Sequence, residues 1–575
     1  MSDNLIYEVS STNENLSEPF VRKDTVFIID QNNSQYSNNM IIIDSASVSN
    51  SQRWADFSKA YITLPLLVTM TSTFNFSGVP TEFVANLKNG YHQILNSLNV
   101  EYNNSSVIQV SNLTNMYVSY KLNTSFDVNT VVCIGSQIGF YLDSELSWNY
   151  TNAITKAGTG SVNNATSLFG LNLAVAYTGQ YGNQGFVRRL LNVTFNDSLV
   201  GVATLLGGAG AWANVSATYQ KNYVIKSAAA LNGYYQQAWN VLATLRLKDI
   251  ANFFEKLPLI KGAFIKMYLY LNQSKTVLTI KGTNAGADAG KLSITPQAIS
   301  IYGGVTNPLL IAGATTAFEG MRPLSDLVAT QGPDQQFTFS VSLLNSLDTN
   351  CYAPYNKYGG QTSCRLYVDL YTMNPIKEEE YLLNNRTKVI EYTDIFQYQF
   401  LNTAAGSTFN FLVSNGIANL QEVIVVPIIS GTYNGTGVST TSFSPIVSPF
   451  ASEPATCSPL MWINNFNIQI SSVNQFINSE MYSYEMFQNE LLGVNSVNGA
   501  RTDGLMSGLI SQLMFQNNYG YMVCNTSRRL AEEDRTPKSV QILGNNMTQV
   551  PMDLYVFCVL KKSITVDLYS GKRLA

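Results

Sequence analysis

Residues 18–70 read EPFVRKDTVFIIDQNNSQYSNNMIIIDSASVSNSQRWADFSKAYITLPLLVTM, and this stretch decides the fold class. Three apolar runs, at 25–29, 40–43 and 61–70, are separated by polar turns. In the third run every second side chain is aliphatic, which is typical of a strand that lies against a core. Pro65 has no amide hydrogen to donate, so it predicts a sheet edge or a bulge. The stretch therefore predicts a large β protein.

The composition points to a protein with much contact surface and little charge. Of 575 residues only 13% are charged, the net charge is −4, and the chain has 33 Tyr and 28 Phe. This balance argues against nucleic-acid binding by bulk electrostatics. Aromatic enrichment with charge depletion is typical of subunit interfaces. A neutral glycoprotein ectodomain or an Asn/Ser-rich composition bias would give the same numbers.

The start of the chain predicts synthesis in the cytoplasm. Residues 1–4 lack the basic start of a signal peptide, and no apolar run follows them. The six cysteines have no Cys-x-x-Cys spacing, so we expect reduced thiols. A Cys351–Cys364 disulfide is disfavoured in a cytosolic protein.

Strand-like runs recur along the whole chain and predict an all-β fold with a few short helices. We expect strands at 116–122 and 130–134 and a helix within 239–254. Further strands are expected at 264–271, 337–343, 364–371, 390–400, 423–429, 462–470, 552–560 and 564–568. Two long polar loops, 151–185 and 430–456, interrupt them. Two similar eight-stranded sandwiches would fill the length, and the jelly roll is the natural member of that class.

An internal echo supports two copies of one domain. Residues 267–280 (MYLYLNQSKTVLTI) and 555–568 (YVFCVLKKSITVDL) share the order apolar run, polar turn, alternating strand. Hairpins of this shape also recur by chance. On this basis we predict an N-terminal arm at 1–20, a first jelly roll at 21–280 and a second at 281–575.

Residues suited to catalysis are few. His92 is the only histidine, which excludes two- or three-histidine metal sites within one chain, and we interpret it as a packing or hydrogen-bonding residue. The acidic runs 378–380 and 532–534 suggest a glycosidase-like pair or, more simply, solvated faces. The glycine-rich segment 207–210 lacks the lysine of a phosphate-binding loop. We assign no catalytic, cofactor-binding or metal-binding residue and predict that the protein is not an enzyme.

Several segments, in order along both halves, resemble the major capsid proteins of polinton-like viruses and related small double-stranded DNA viruses of protists. They cover about two fifths of the chain: 18–70, 89–120, 138–148 (IGFYLDSELSW), 183–190 (NQGFVRRL), 239–271, 374–400 and 504–560, with SRRLAEEDRTPKSVQILGNN. No single motif is diagnostic, and the ordered set carries the resemblance.

The resemblance implies a double jelly roll: two tandem jelly rolls in one chain. It implies a homotrimer that acts as a pseudo-hexameric capsomer and tiles an icosahedral shell around a double-stranded DNA genome. Its partners would be other copies of itself, penton proteins and minor or cement proteins, and its location the virion. Loops 151–185 and 430–456 would form the outer tower, and residues 1–20 an inner arm.

Two other function classes stay open at this stage. A viral fibre or carbohydrate-binding β-sandwich attachment protein would use loop aromatics such as Tyr177, Tyr181 and Trp212. A glycoside hydrolase on a β-sandwich would rest on the acidic runs alone.

Overall fold

The computed structural model describes the core of both halves of the chain. The described residues are 18–36, 39–72, 83–109, 112–142, 223–226, 235–272, 274–280, 292–298, 306, 308–313, 335–344, 363–429, 463–476, 482–497, 508–517, 519–526, 536–547 and 551–574. Residues 1–17 of the predicted N-terminal arm and loops 151–185 and 430–456 lie outside them.

The described chain is built mainly from antiparallel strands. Up to residue 373 these are β1 (Phe20–Ile29), β2 (Met40–Asp44), β3 (Trp54–Ser72), β4 (Phe83–Leu87), β5 (Leu95–Tyr102), β6 (Ser105–Ile108), β7 (Tyr223–Lys226), β8 (Tyr235–Arg246), β9 (Ile260–Lys261), β10 (Ile265–Leu271), β11 (Ser274–Ile280), β12 (Leu292–Ala298), β13 (Leu309–Gly313), β14 (Gln335–Leu343) and β15 (Arg365–Met373). Then follow β16 (Thr387–Thr403), β17 (Thr408–Ile417), β18 (Leu420–Ile429), β19 (Ile463–Ile470), β20 (Val473–Asn474), β21 (Met522–Asn525), β22 (Lys538–Asn546) and β23 (Met552–Asp567).

The helices are short and lie between strands. They are α1 (Ala46–Asn50), a 3₁₀ turn (Tyr91–Ile94), α2 (Thr114–Ser125), α3 (Val128–Ile138), α4 (Leu247–Ile250), α5 (Asn252–Lys256), α6 (Pro375–Asn385), α7 (Tyr484–Val497) and α8 (Gln512–Asn517). Asp127 caps α3 by accepting a hydrogen bond from the Thr130 amide, and Asn374 caps α6 with Pro375 in its first turn. These local signals start the helices where the strand pattern stops.

The second half of the chain forms one jelly roll, here called roll 2. Its eight strands are β16 to β23 in order, and they form two four-stranded sheets with the orders β16-β23-β18-β21 and β17-β22-β19-β20. One sheet thus joins the first, eighth, third and sixth strands, and the other the second, seventh, fourth and fifth. This is the strand order of a jelly roll, in which two Greek keys close a sandwich.

The first half repeats this order, and we call it roll 1. Strands β1, β15, β3 and β8 pair as first, eighth, third and sixth strands, and β2-β10-β5-β6 pair as second, seventh, fourth and fifth. Helices α2 and α3 follow the fifth strand of roll 1, as α7 and α8 follow the fifth strand of roll 2. The structure is therefore a double jelly roll, and the prediction of two tandem eight-stranded sandwiches is confirmed.

Roll 1 contains an insertion that moves its end along the chain. Strands β11, β12 and β14 extend its first sheet beside the second half of β3, and β13 pairs with β4. The eighth strand, β15, comes only after this insertion and pairs with β1 from Phe20 to Ile29. Strand pairing therefore crosses residue 280, and the predicted boundary at 280/281 does not coincide with a division between sheets. The division between the rolls falls between β15 and β16.

The internal echo joins elements that are not equivalent. Residues 267–280 span β10 and β11, whereas residues 555–567 lie within the single strand β23. In jelly-roll order these are a seventh strand with an inserted strand, and an eighth strand. The duplication exists in the topology, but the echo does not align its copies.

Two predicted strands are helices, and the helix predicted within 239–254 is present only in its second part, as the short helices at 247–250 and 252–256. Residues 116–122 and 130–134 lie in α2 and α3, and 239–246 belong to β8 before the short helices α4 and α5. On α2, Val118 and Leu122 belong to the roll 1 core while Met116 and Tyr120 belong to the roll 2 core. A helix buried on two sides has no single apolar stripe, so its helical period is hidden in the sequence.

Pro65 lies in a central strand, so the prediction of a sheet edge is wrong. Strand β3 pairs with β8 on one side, where Pro65 lies opposite Leu242. On the other side the partner of β3 changes along the strand. Pairing with β15 extends up to Thr63, and pairing with β14 starts at Leu66. Pro65 faces this junction and accepts a hydrogen bond from the Leu344 amide at 2.9 Å. Because no partner strand needs an amide donor there, the proline costs no ladder bond.

The longest connections of each sandwich all leave from one of its two ends. Because paired strands are antiparallel, connections after the first, third, fifth and seventh strands emerge at one end, and the others at the opposite end. In roll 1 the connections after the second, fourth and sixth strands are short, and they are hydrogen-bonded to each other. The Ser45 amide donates to the Ile265 carbonyl at 2.9 Å, and the Asn103 amide donates to the Phe264 carbonyl at 2.8 Å. Loop 151–185 joins a fifth to a sixth strand, and loop 430–456 a third to a fourth. Both therefore depart from the same type of end.

The junction at Pro65 gives a test of this fold. We expect Pro65→Val to change the free energy of unfolding by about 1 kcal/mol or less, because no backbone bond is gained or lost there. Leu64→Ala, in the buried face of the same strand, should cost about 2–5 kcal/mol because it leaves a cavity. Urea unfolding followed by tryptophan fluorescence measures both. A Pro65→Val loss as large as that of Leu64→Ala would contradict the assigned junction.

Candidate functional site

His92 is a structural residue, as interpreted from the sequence. Its side chain is buried, its Nε2 lies 2.7 Å from Ser119 Oγ, and its ring packs near Phe140. Burial lowers the pKa of His92 to about 3, so the imidazole stays neutral. Gly90 is required beside it, because a Cβ there would lie 2.2 Å from the imidazole and the backbone has a φ of +94°.

The acidic run 378–380 does not form a pair of facing carboxylates. Glu378 accepts hydrogen bonds from Trp54 Nε1 and Lys261 Nζ, both at 3.1 Å. Glu380 pairs with Lys377 at 2.8 Å on the surface of α6. The run thus anchors α6 to roll 1 and otherwise faces solvent.

Other residues singled out from the sequence lie outside the described part of the chain. They are Tyr177, Tyr181, the 207–210 segment, Trp212, Cys351 and the 532–534 run. Cys364 is buried with a free thiol. Among the described residues, no cluster of three His, Cys, Asp or Glu side chains is placed to hold a metal ion. In the same residues no helix is long and apolar enough to cross a membrane.

The described structure contains a buried interface between the two rolls. Helix α2 of roll 1 lies against the β16-β23-β18-β21 sheet of roll 2. Tyr117 packs 6.2 Å from Phe557, and Tyr120 meets Tyr521 edge to face at 5.2 Å between ring centroids. The outward-facing residues of roll 2 at this contact are fully covered, with Phe557 only 1% exposed.

A carboxyl group lies inside this interface. Tyr120 Oη donates a 2.5 Å hydrogen bond to Glu422 Oε1 on β18. Burial raises the pKa of Glu422 to about 7, and the bond from Tyr120 offsets only part of that rise. Burial and the nearby Glu422 also raise the pKa of Tyr120 well above its ordinary value. The interface therefore holds Glu422 largely protonated in mildly acidic solution.

The C-terminal segment of roll 2 is hydrogen-bonded to roll 1 at the end of the interface away from α2. The Gly571 carbonyl accepts hydrogen bonds from Tyr102 Oη at 2.6 Å and Asn103 Nδ2 at 2.5 Å, and Arg573 donates to Ser105 Oγ at 2.7 Å. Gly571 has a φ of +67°, and a Cβ there would lie 2.4 Å from the Ala263 amide. The last residues of roll 2 thus bind the short-connection end of roll 1.

Charged side chains of roll 2 complete the contact. Asp394 is buried, pairs with Lys562 Nζ at 2.5 Å and accepts a hydrogen bond from the Gln109 amide of roll 1 at 3.4 Å. Lys561 pairs with Glu391 at 2.8 Å. Both lysines of the Lys561-Lys562 pair are therefore held in ion pairs.

A second surface, the outward face of the β1-β15-β3 sheet in roll 1, is open. Phe27 is 52% and Ile29 48% exposed on the edge strand β1. Tyr367 lies 6.0 Å from Phe27 and stacks on Tyr61 at 4.9 Å, and the Arg365 guanidinium lies 4.9 Å from the Phe27 ring centre. We call this patch of Phe27, Ile29, Tyr61, Arg365 and Tyr367 the aromatic face.

Ion-paired lysines border the aromatic face, and Lys59 pairs with Asp56 at 3.2 Å. Lys23 and Lys59 lie 5.6 and 5.8 Å from the ring centre of Tyr371, and Lys23 pairs with Asp369 at 2.9 Å. Within the described part of the chain, Arg365 Nε is buried and has no hydrogen-bond acceptor. Such a donor is costly to leave unpaired. An aromatic patch with cations is typical of the centre of a protein–protein contact.

Sequence reasoning did not find either surface. It predicted α2 as a strand, and it predicted residues 25–29 as an apolar strand without an exposed face. One signal was present: Phe27 and Ile29 continue the apolar run on the parity opposite to Val26 and Ile28, as in a strand covered on both faces.

Comparison with known proteins gives low but full-length similarity to viral chains. A chain in a cryo-EM structure of the Sputnik virophage is 11% identical with a TM-score of 0.49, covering 98% of this chain and 90% of that one. The mavirus major capsid protein is 10% identical at 0.40 (99% and 94% covered), and the Faustovirus major capsid protein 9% identical at 0.40 (96% and 92%). No family model and no curated protein matches. Since every quoted TM-score is below 0.5, the fold assignment stands on the sheets of this chain.

The sheets and the interface together define a double jelly-roll protein. Two sandwiches of the same strand order are joined through a buried helix–sheet contact, and one equivalent sheet face is left open.

The buried carboxyl predicts a pH dependence of stability. The pKa of Glu422 is about 7 in the folded protein, whereas an ordinary glutamate has a pKa near 4.5, so its stabilising contribution is complete below pH 4.5 and is lost as the pH rises through 7. The change corresponds to roughly 3 kcal/mol. We expect Glu422→Gln to remove this fall, measured as urea midpoints between pH 4.5 and 7.5.

The matched control is Glu391→Gln, which alters a carboxylate that is 59% exposed and should leave the pH profile as in the parent. If Glu422→Gln kept the parental slope across this range, the assignment of the buried proton would be wrong.

Proposed function

We propose that this protein is a major capsid protein that assembles as a homotrimer and tiles an icosahedral shell. The observation that carries the proposal is the repeated strand order: both rolls have the sheets first-eighth-third-sixth and second-seventh-fourth-fifth. A hexagonal lattice position requires six similar units. Three chains with two similar sandwiches each supply them, and closed rotational symmetry is the usual form of a homo-oligomer. This agrees with the resemblance found in the sequence.

The end of the sandwich from which each connection leaves supports an orientation of the protein in the shell. The short connections of roll 1, the start of β1 and the C-terminal segment gather at one end, where Tyr102 and Asn103 bind Gly571. The long connections leave at the other end. We place the short end toward the genome, with residues 1–20 as the inner arm, and loops 151–185 and 430–456 on the outside.

The low charge and the open aromatic face suit a chain whose flanks are buried by neighbours. Exposed Phe27 and Ile29 would be a liability on the surface of a monomer, because apolar edge strands promote aggregation. In this proposal the partners are other copies of the chain, then penton and minor or cement proteins. The chain is made in the host cytoplasm and resides in the virion, and its role is structural and not enzymatic.

Assembly of the purified protein tests the proposal. We expect light scattering to give a particle of about 190 kDa, three times the 63.4 kDa chain, and class averages down its axis to show a hexagonal outline. A sample that stays at 63.4 kDa at every concentration and shows no hexagonal particle would contradict it.

The test also separates a capsid protein from an attachment protein. Particles that tile into flat hexagonal sheets or shells would support the shell role. A trimer that forms neither and binds immobilised glycans would favour the fibre or attachment reading.

A further inference from the structure

An open groove of about 750 Å³ lies at the short-connection end of roll 1. The three short connections contribute Ser49, Asn103 and Gly262 to its lining, and the C-terminal segment lines the remaining side. Ser49 Oγ donates to the Gly262 carbonyl at 2.9 Å, and Asn103 Nδ2 donates to the Gly571 carbonyl at 2.5 Å. Because its sides are hydrogen-bonded to each other, the groove is a fixed part of the fold.

The C-terminal segment that lines the groove is a hydrogen-bonded turn. The Gly571 amide donates to the Asp567 carbonyl at 2.8 Å, and the Asp567 amide donates to the Lys572 carbonyl at 2.9 Å. The Asp567 carboxylate accepts hydrogen bonds from the amides of Tyr569 and Ser570 at 2.9 and 3.0 Å. Lys572 therefore projects from a fixed backbone, and the carboxylate nearest to it in sequence is bonded within the turn.

The groove carries positive charge and has no lining carboxylate. Lys572 is exposed, and its ammonium group makes no ion pair with any residue that the structure describes. Arg573 Nη1 donates to the neutral Ser105 hydroxyl at 2.7 Å, and a guanidinium has five N–H donors in all. The other polar side chains of the lining are serines and one asparagine. This combination of cations with hydroxyl and amide donors suits an anion.

We propose that this groove binds the phosphodiester backbone of nucleic acid. The choice of occupant rests on the proposed function, in which this end of the protein faces the genome. Lys, Arg, Ser and Asn side chains are those that hold phosphate oxygens in protein–DNA contacts. Phospholipid headgroups carry the same phosphate group, but binding to a membrane surface also requires a broad apolar face. Among the nine lining residues only Phe264 and Leu574 have large apolar side chains.

Two cations per chain predict a weak contact that does not depend on base sequence. Each phosphate that is neutralised adds about 0.9 to the slope of the logarithm of the association constant against the logarithm of the salt concentration. The net charge of −4 gives no attraction from the chain as a whole, so the contact is local. Many copies in one shell would bind one genome together, and such avidity multiplies weak contacts.

Binding of a fluorescent DNA duplex of about 20 base pairs to the full-length protein tests the site. At about 50 mM salt, Lys572→Ala should lower the association constant by about tenfold and reduce the salt slope by about one, measured by fluorescence anisotropy. Arg573→Gln removes a charge but keeps a hydrogen-bond donor for Ser105, and it should act in the same way.

The matched control is Lys561→Ala, which removes the same charge from a 40% exposed side chain outside the groove. It should leave the association constant and the salt slope as in the parent. No duplex binding by the parent, or an equal loss in Lys561→Ala and Lys572→Ala, would overturn the inference. Urea midpoints check that the variants fold, and Lys572→Ala decides if Arg573→Gln does not.

Vesicles distinguish the two sources of phosphate. In flotation with vesicles of phosphatidylcholine and phosphatidylglycerol, we expect the parent to bind no better than Lys572→Ala. Flotation that depends on Lys572, without duplex binding that depends on it, would overturn nucleic acid as the occupant. A parent that binds the duplex through Lys572 but stays monomeric would support the site and contradict the proposed function. A trimer of hexagonal outline that binds no duplex would contradict the site alone.

Discussion

Burial of helix α2 on two sides is the constraint on which the arrangement of the two sandwiches depends. One side of the helix packs on roll 1, where the Ser119 hydroxyl is hydrogen-bonded to the His92 ring. The other side covers the outward sheet face of roll 2 through Tyr117 and Tyr120. A jelly roll alone needs only its inner faces buried. Here the β23 and β18 strands of roll 2 are covered on both faces, and α2 contributes residues to the apolar cores of both sandwiches.

The parts of the fold with one buried face could be predicted from the sequence, and the parts with two could not. The run 61–70 has period two because only one face of β3 was strongly aliphatic, and the jelly-roll class followed from many such runs. In α2 both sides are apolar, so its residues read as a strand. The end of roll 1 was missed for another reason: β1 and β15 pair across more than half the chain, and the sequence gives no local sign of a partner that distant.

The candidate surfaces show the same limit. Absence of a histidine pair made a metal or triad site improbable from the sequence alone, and the described residues place His92 and Glu378 in structural roles. The aromatic face is made by residues from three strands that only folding brings together, so no motif announces it. Glu422 gave no signal either, because its pKa depends on the tyrosine and the helix that cover it.

One sequence feature nevertheless connects the covered face and the open face. The eighth strand of roll 2 contains the run YVFCVL at 555–560, and all six residues are buried because α2 covers the side that the core does not. The first strand of roll 1 contains the run VFII at 26–29, again apolar on both parities, yet Phe27 and Ile29 are exposed. An unbroken apolar run in an antiparallel sheet is typical of a strand with both faces buried. The composition of β1 thus suits a strand that is covered in an assembly, as β23 is covered within the chain.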